Sequence, residues 1–160
     1  MTADERRRAA EILDLQEGRG PTPLLNDDGI ARLLRSARRI AVVGASSRPS
    51  RPSNGVLQTL IRAGYQCVPV NPNETEVLGL AAYPSLVEAV ADGGPFDIVD
   101  VFRRPDACID VARAAVATGC RALWLQLGIV NWEAARVAAA GGLAVVMDRC
   151  TAIEVRRVPR

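Results

Sequence analysis

The sequence predicts an α/β domain of three layers, built on a mostly parallel sheet of five to six strands. Three observations carry this. From Arg39 onward, short runs rich in Val, Ile and Leu alternate with segments of helical length. Hydrophobic residues make up 49% of the chain but aromatic residues only 4%, so the core is aliphatic, as in a parallel sheet covered by helices. The run Ile40-Ala-Val-Val-Gly44 stops at a glycine and passes through a Ser/Arg/Pro loop into a second apolar-periodic segment. That succession reads as strand, phosphate loop and helix start.

The elements follow in order. Thr2 with Glu5 forms a capping box for a helix over about residues 3–17. Gly18-Arg-Gly-Pro-Thr-Pro23 breaks it. Residues 1–26 are therefore expected to be a helical arm and linker, packed on the domain or on a neighbouring subunit. Asn26-Asp-Asp28 caps a helix ending near Arg38 and opens the main domain, residues 27–160. Strands read at 39–43, 66–70, 97–101, 121–125 and 143–147, with a short extra one near 80–83. Helices read at 54–63, 85–91, 105–118 and 131–140. Start signals are Pro84-Ser85, Arg104-Pro105-Asp106 and Asn131, and Gly64, Gly119 and Gly141 close helices. Right-handed crossovers between such strands give a Rossmann-like sheet, of order 3-2-1-4-5-6 if the short strand joins it.

Composition removes several function classes. Twenty basic and 18 acidic residues leave a net charge of +2, too small to argue for nucleic acid or a membrane surface. No apolar run approaches the ~20 residues of a membrane-spanning helix, and the N-terminus lacks a signal-peptide core, so a cytoplasmic location is expected. The chain has no histidine, which excludes Ser-His-Asp and Cys-His catalysis and histidine metal sites. Its four cysteines, Cys67, Cys108, Cys120 and Cys150, form no Cys-x-x-Cys pair, so no metal site is expected.

Ligands of open parallel sheets lie beyond the C-terminal ends of the strands. The residues there are Gly44-Ala-Ser-Ser47, Asn71-Pro72-Asn73, Phe102-Arg-Arg-Pro105, Gln126-Leu-Gly128 and Asp148-Arg-Cys150. The Gly-x-Gly-x-x-Gly spacing of dinucleotide sites is absent, since the glycine after Gly44 is Gly55. Asn71 stands where NAD sites usually place an acid for the ribose hydroxyls, and a neutral amide tolerates a phosphorylated ribose. Arg48, Arg51, Arg103 and Arg104 are suited to bidentate phosphate contact. A phosphoadenosine ligand such as coenzyme A (CoA) or NADP fits these residues better than NAD. Asn54 at the helix start joins the candidates, and a polar Gln126 after Leu-Trp-Leu is costly to bury without a partner. Asp148 and Arg149 are read as a structural ion pair. Cys150 is the cysteine at a strand end, beside a cation that favours thiolate. Trp124 is read as core and Trp132 as a packing anchor or interface residue.

Val42-Val-Gly-Ala-Ser46, Arg51-Pro-Ser53, Gly64-Tyr65, Val70-Asn-Pro72, Val99-Asp-Val-Phe-Arg103, Trp124-Leu-Gln-Leu-Gly128 and Val146-Met-Asp-Arg-Cys150 occur in one order over about residues 27–157. In these blocks the chain resembles the small stand-alone CoA-binding proteins, similar in fold to the CoA-binding domain of the succinyl-CoA ligase α subunit. The resemblance implies CoA contacts from Gly44, Ala45, Ser46, Ser47 and Arg51, from Asn71 and Pro72, and from Phe102 and Arg103. It does not by itself give a reaction, and the function expected is non-catalytic binding of CoA or a short acyl-CoA, in a regulatory or carrier role, with no catalytic residue. The resembled ligases use a phosphohistidine in a further domain, and this chain has no histidine to supply one. Two other readings stay open: an NAD(P)-binding redox protein, and the CoA-binding subunit of a split acyl-CoA ligase. A homodimer and a separate partner subunit stay open likewise.

Overall fold

The structure, a computed structural model, describes residues 1–159. Five parallel strands form the central sheet: β1 (Arg39–Val43), β2 (Gln66–Val70), β5 (Ile98–Val101), β6 (Ala122–Leu125) and β7 (Ala144–Val146). Their order across the sheet is β2-β1-β5-β6-β7. The segment expected to supply a sixth strand instead folds into a small antiparallel hairpin, β3 (Glu76–Val77) with β4 (Leu80–Ala81). Its continuation keeps one trace of the expected pairing: Tyr83 makes a single parallel bridge to Val70 at the sheet edge. The hairpin turns the chain too soon for a longer ladder to form there.

Helices cover both faces. On one side lie α2 (Asp27–Ser36), α3 (Pro52–Arg62) and α7 (Thr151–Arg157), on the other α4 (Leu86–Gly93), α5 (Cys108–Ala117) and α6 (Trp132–Ala140). Alternation along β1 feeds both layers, with Ile40 and Val42 in the α2–α3 core and Ala41 and Val43 in the α5–α6 core. α3 begins two residues before its expected start, because Pro52 suits the first helical position, where no backbone donor is needed. A single 3₁₀ turn, Pro105–Ala107, leads into α5. The sequence gives no sign of α7, which is seven residues long and has no side-chain cap at Cys150. It packs on α3 and α2.

The expected capping box opens α1 (Ala3–Gln16). This arm lies on its own domain. Trp132 Nε1 donates to the Glu11 carbonyl at 3.0 Å, Leu15 packs on the core, and Leu25 N donates to Val145 O of β7. No helix among the described residues is long and apolar enough to cross a membrane.

One close approach positions everything that follows. Gly44 leaves β1 with φ +90°, and a Cβ there would sit 2.4 Å from the carbonyl oxygen of Phe102. Gly44→Ala should therefore cost on the order of 2–4 kcal/mol, from left-handed backbone strain and the forced shift of a neighbouring strand end. Thermal unfolding should show a Tm lower by about 5–15 °C. An unchanged Tm would mean that the two strand ends are further apart.

Candidate functional site

The sheet order reverses at β1: α3 carries the chain to β2 on one side, and the next central strand, β5, lies on the other. The loops after β1 and β5 therefore diverge to opposite faces and leave a crevice at the strand ends. A cavity of about 770 Å³ occupies that crevice. Gly44, Ser46, Arg51, Asn71, Phe102, Arg103, Arg104 and Gln126 line it, so eight of the twelve candidate residues meet there.

The other four stand behind or beside the wall. Ala45 is fully buried beneath the loop. Asn54, also buried, donates through Nδ2 to Ser46 O at 2.9 Å and accepts from Gln58 Nε2, so its amide braces the loop from below. Ser47 is exposed and faces Glu74, while Pro72 is exposed on the turn after β2. Asn71 reaches the cavity with both ends of its amide engaged: Nδ2 donates to Ala45 O at 2.8 Å and Oδ1 accepts from Asn73 N at 2.9 Å.

The loop after β1 satisfies most of its own backbone donors. Ser46 N donates to Ser53 Oγ, Ser47 N to Glu74 Oε2 and Arg48 N to Ser46 Oγ. The loop backbone therefore offers fewer free donors than the sequence pattern implied. What remains includes the start of α3, whose N-cap Arg51 makes no side-chain cap and whose Ser53 N has no partner among the described residues. To this are added the guanidinium groups of Arg48, Arg51 and Arg103, none of which makes an ion pair among the described residues. Arg104 holds a loose, exposed contact to Asp106 at 3.8 Å. Unpaired cations at a helix start are suited to an anionic group. Glu74 is the one acid on the cavity wall among the described residues, and Ser47 N and Oγ engage both its oxygens.

The rest of the wall is apolar. Val56, Pro105, Leu127, Ile129, Cys150 and Ile153 line it, with Leu127 and Ile153 exposed at the mouth. Asp148 and Arg149 do not pair with each other. Asp148 Oδ1 accepts from Gly128 N at 2.6 Å and ties the loop after β6 to the loop after β7. Arg149 turns to Asp27 at 2.7 Å and to Glu154. It is thus committed to carboxylates and not to Cys150. Trp124 is wholly buried, with Nε1 donating to Arg149 O.

Asp100, which no motif in the sequence singles out, lies in β5 and is completely buried beneath the cavity. Gln126 Nε2 and Thr151 Oγ1 donate to its two oxygens at 2.6 and 2.9 Å. Burial pushes its carboxyl up to about 7, against the lowering effect of those two hydrogen bonds. The signal was an acid inside the apolar run Ile98-Val99-Asp100-Val101. Glu74 gave no such signal, because only the fold brings it to Ser47. No group of three or more His, Cys, Asp or Glu among the described residues is placed to hold a metal ion.

With this geometry in hand, the comparisons are decisive about kinship. The profile of a family described as "CoA binding domain" matches residues 38–156. The chain belongs to this family. An uncharacterised Bacillus subtilis protein is 43% identical over 121 residues, covering 76% of this chain and 87% of that one. A hypothetical protein from Pyrococcus horikoshii has 35% identity and a TM-score of 0.79, covering 84% of this chain and 92% of its own. A dinucleotide-forming acetyl-coenzyme A synthetase from Ca. Korarchaeum cryptofilum shares the fold at 24% identity, with a TM-score of 0.61 over 72% of this chain and 27% of that enzyme.

The four thiols divide sharply. Cys67, Cys108 and Cys120 are buried, and burial pushes the first two up to about 12, whereas Cys150 is half-buried on the cavity wall. Iodoacetamide applied to the folded protein should alkylate Cys150 at least roughly tenfold faster than the others, as read by peptide mass spectrometry. Equal labelling of all four would contradict this placement.

Proposed function

We propose that this domain binds coenzyme A, free or as a short acyl-CoA, in the cavity at the β1–β5 switch. The observation that carries the reading is the pairing, in one crevice, of three unpaired arginines with an apolar wall. Coenzyme A has the same division, with three phosphates on its nucleotide and an uncharged pantetheine arm. A cavity of about 770 Å³ lies within the usual range for a ligand of this class. Membership of the CoA binding domain family supports the same choice.

Each part of the wall then has a task. Arg48, Arg51 and Arg103 attract and orient phosphates through charge-assisted hydrogen bonds, and Ser53 N at the start of α3 adds a fixed donor. Asn71 and Asn54 hold the loop in place and leave the ligand contacts to their neighbours. Phe102 and the aliphatic residues exclude water from adenine and the pantetheine arm. NAD is disfavoured for a specific reason. Among the described residues the one carboxylate on the wall, Glu74, has both oxygens turned to Ser47, which fixes it toward the loop after β1 and away from a ribose diol at the end of β2. Among the described residues no side chain on this wall pairs a free nucleophile with a base, so recognition, in a regulatory or carrier role, is the reading adopted for the site.

Calorimetry tests this directly. Coenzyme A should bind more tightly than 3′-dephospho-CoA, and NAD weakly if at all. Arg51→Ala and Arg103→Ala should each lose on the order of 1.5–3 kcal/mol, roughly one to two decades in affinity, with little change in Tm. Equal or tighter binding of NAD would overturn the assignment. A matched fall in Tm would make the arginines structural.

A further inference from the structure

Behind the cavity lies a closed polar ring that phosphate binding does not use. Asp100 on β5, Gln126 just after β6 and Thr151 at the start of α7 are each at most 3% exposed. Gln126 Nε2 donates to Asp100 Oδ1 at 2.6 Å and to Thr151 Oγ1 at 2.8 Å, and Thr151 Oγ1 donates to Asp100 Oδ2 at 2.9 Å. Chemistry fixes the sense of this ring. A carboxylate only accepts, so it faces the amide nitrogen and the hydroxyl proton. The threonine oxygen, its proton given away, accepts the second amide proton.

Both Nε2 protons of Gln126 are therefore engaged, which leaves Oε1 as the free polar atom of a side chain that lines the cavity. That oxygen accepts no hydrogen bond from the described residues. It is not sealed off either, because the one fully buried side-chain N or O atom lacking a partner among them is Arg39 Nε. A nine-tenths buried side chain with its acceptor turned into a cavity is set to receive a donor.

We propose that Asp100 and Thr151 are positioning residues that hold Gln126 as a hydrogen-bond acceptor for an amide N–H of the pantetheine arm. The inference rests on the coenzyme A reading. Gln126 sits among Pro105, Leu127, Ile129 and Ile153 on the apolar part of the wall, where the uncharged arm belongs. The arm carries two amide N–H groups, and once drawn out of water each needs an acceptor.

The ring also makes the contact depend on proton uptake. A protonated Asp100 donates to Oε1, which turns the amide and presents N–H to the cavity instead. Burial pushes the Asp100 carboxyl up to about 7, and the charged groups on the elements packed against it are few. Cys67 on β2, which shares its field, is pushed up to about 12 and stays neutral. Glu154 on α7 is held by Arg149 and Arg157. The charged residues of α3 and α2, namely Arg62, Asp27, Asp28, Arg32 and Arg35, are exposed. On β1, Arg39 lies over the Phe96 ring, and β6 carries no charge.

The test compares coenzyme A with adenosine 3′,5′-bisphosphate, which keeps phosphates but lacks the arm, by calorimetry from about pH 6 to about pH 8. The 5′-phosphate of the bisphosphate is a monoester that takes up a proton in this range, whereas the diphosphate of coenzyme A does not, so the ratio of the two affinities is read against the same ratio in Asp100→Asn. Relative to Asp100→Asn, the advantage of coenzyme A should fall roughly tenfold on acidification in the unsubstituted protein. At about pH 8, Gln126→Met should remove a similar factor without altering bisphosphate affinity. The same pH dependence of the ratio in the unsubstituted protein and in folded Asp100→Asn overturns the proposal. An equal loss for both ligands in folded Gln126→Met overturns it too. Binding of neither ligand overturns the coenzyme A reading itself, and this inference with it.

Discussion

The close approach of two parallel strand ends governs this molecule. Gly44 can lie against the Phe102 carbonyl only because it has no side chain, and Gly44 N at the same time donates to Val70 O across the sheet. Three neighbouring strands are thereby locked in register at their C-terminal ends. The chain must then leave β1 and β5 toward opposite helical layers, and the crevice between the departing loops is a geometric consequence. A bulkier residue at position 44 would push β5 away and widen or misalign that crevice. The site thus depends on packing before it depends on any charged group.

Within the crevice, polar groups divide into those turned inward and those left for a ligand. Asn54, Asn71, Ser53 Oγ and Glu74 fasten the loop to itself and to the turn after β2. Arg48, Arg51 and Arg103 are left unpaired on the surface that remains. Such an arrangement pre-organises the loop, so that binding does not have to order it. The Asp100–Gln126–Thr151 ring does the same at the apolar end, where one buried carboxylate fixes the orientation of one amide. The two ends use different physics: unpaired charge at one, a fully paired buried charge at the other.

Much of this was legible in the sequence. The bounds of β1 and β2, the capping box of α1, and the Asn26, Ser85 and Asn131 caps follow from local hydrophobic runs and cap chemistry. Eight of the candidate residues reach one cavity because strand ends in a parallel sheet all point to the same edge. What escaped was tertiary. The hairpin β3–β4 replaces a sixth strand because four residues at the sheet edge find antiparallel partners in one another. The helix α7 owes its existence to burial against α3, which no cap residue announces. Asn54 carries the right residue type for a ligand contact but points below the loop, a matter of helix phase. Asp100 was overlooked because its meaning lies in Gln126 and Thr151, which are 26 and 51 positions away.

The central claim is that the crevice between β1 and β5 is where coenzyme A binds. Backbone amide shifts followed by ¹H–¹⁵N correlation spectra during titration with coenzyme A test it most directly. The largest changes should fall at Ser46–Val56, at Phe102–Arg104 and at Gln126–Ile129, with α1 and the outer faces of α5 and α6 undisturbed. Shifts concentrated on α1 or on the α5–α6 face, or no shifts at saturating coenzyme A, would contradict it.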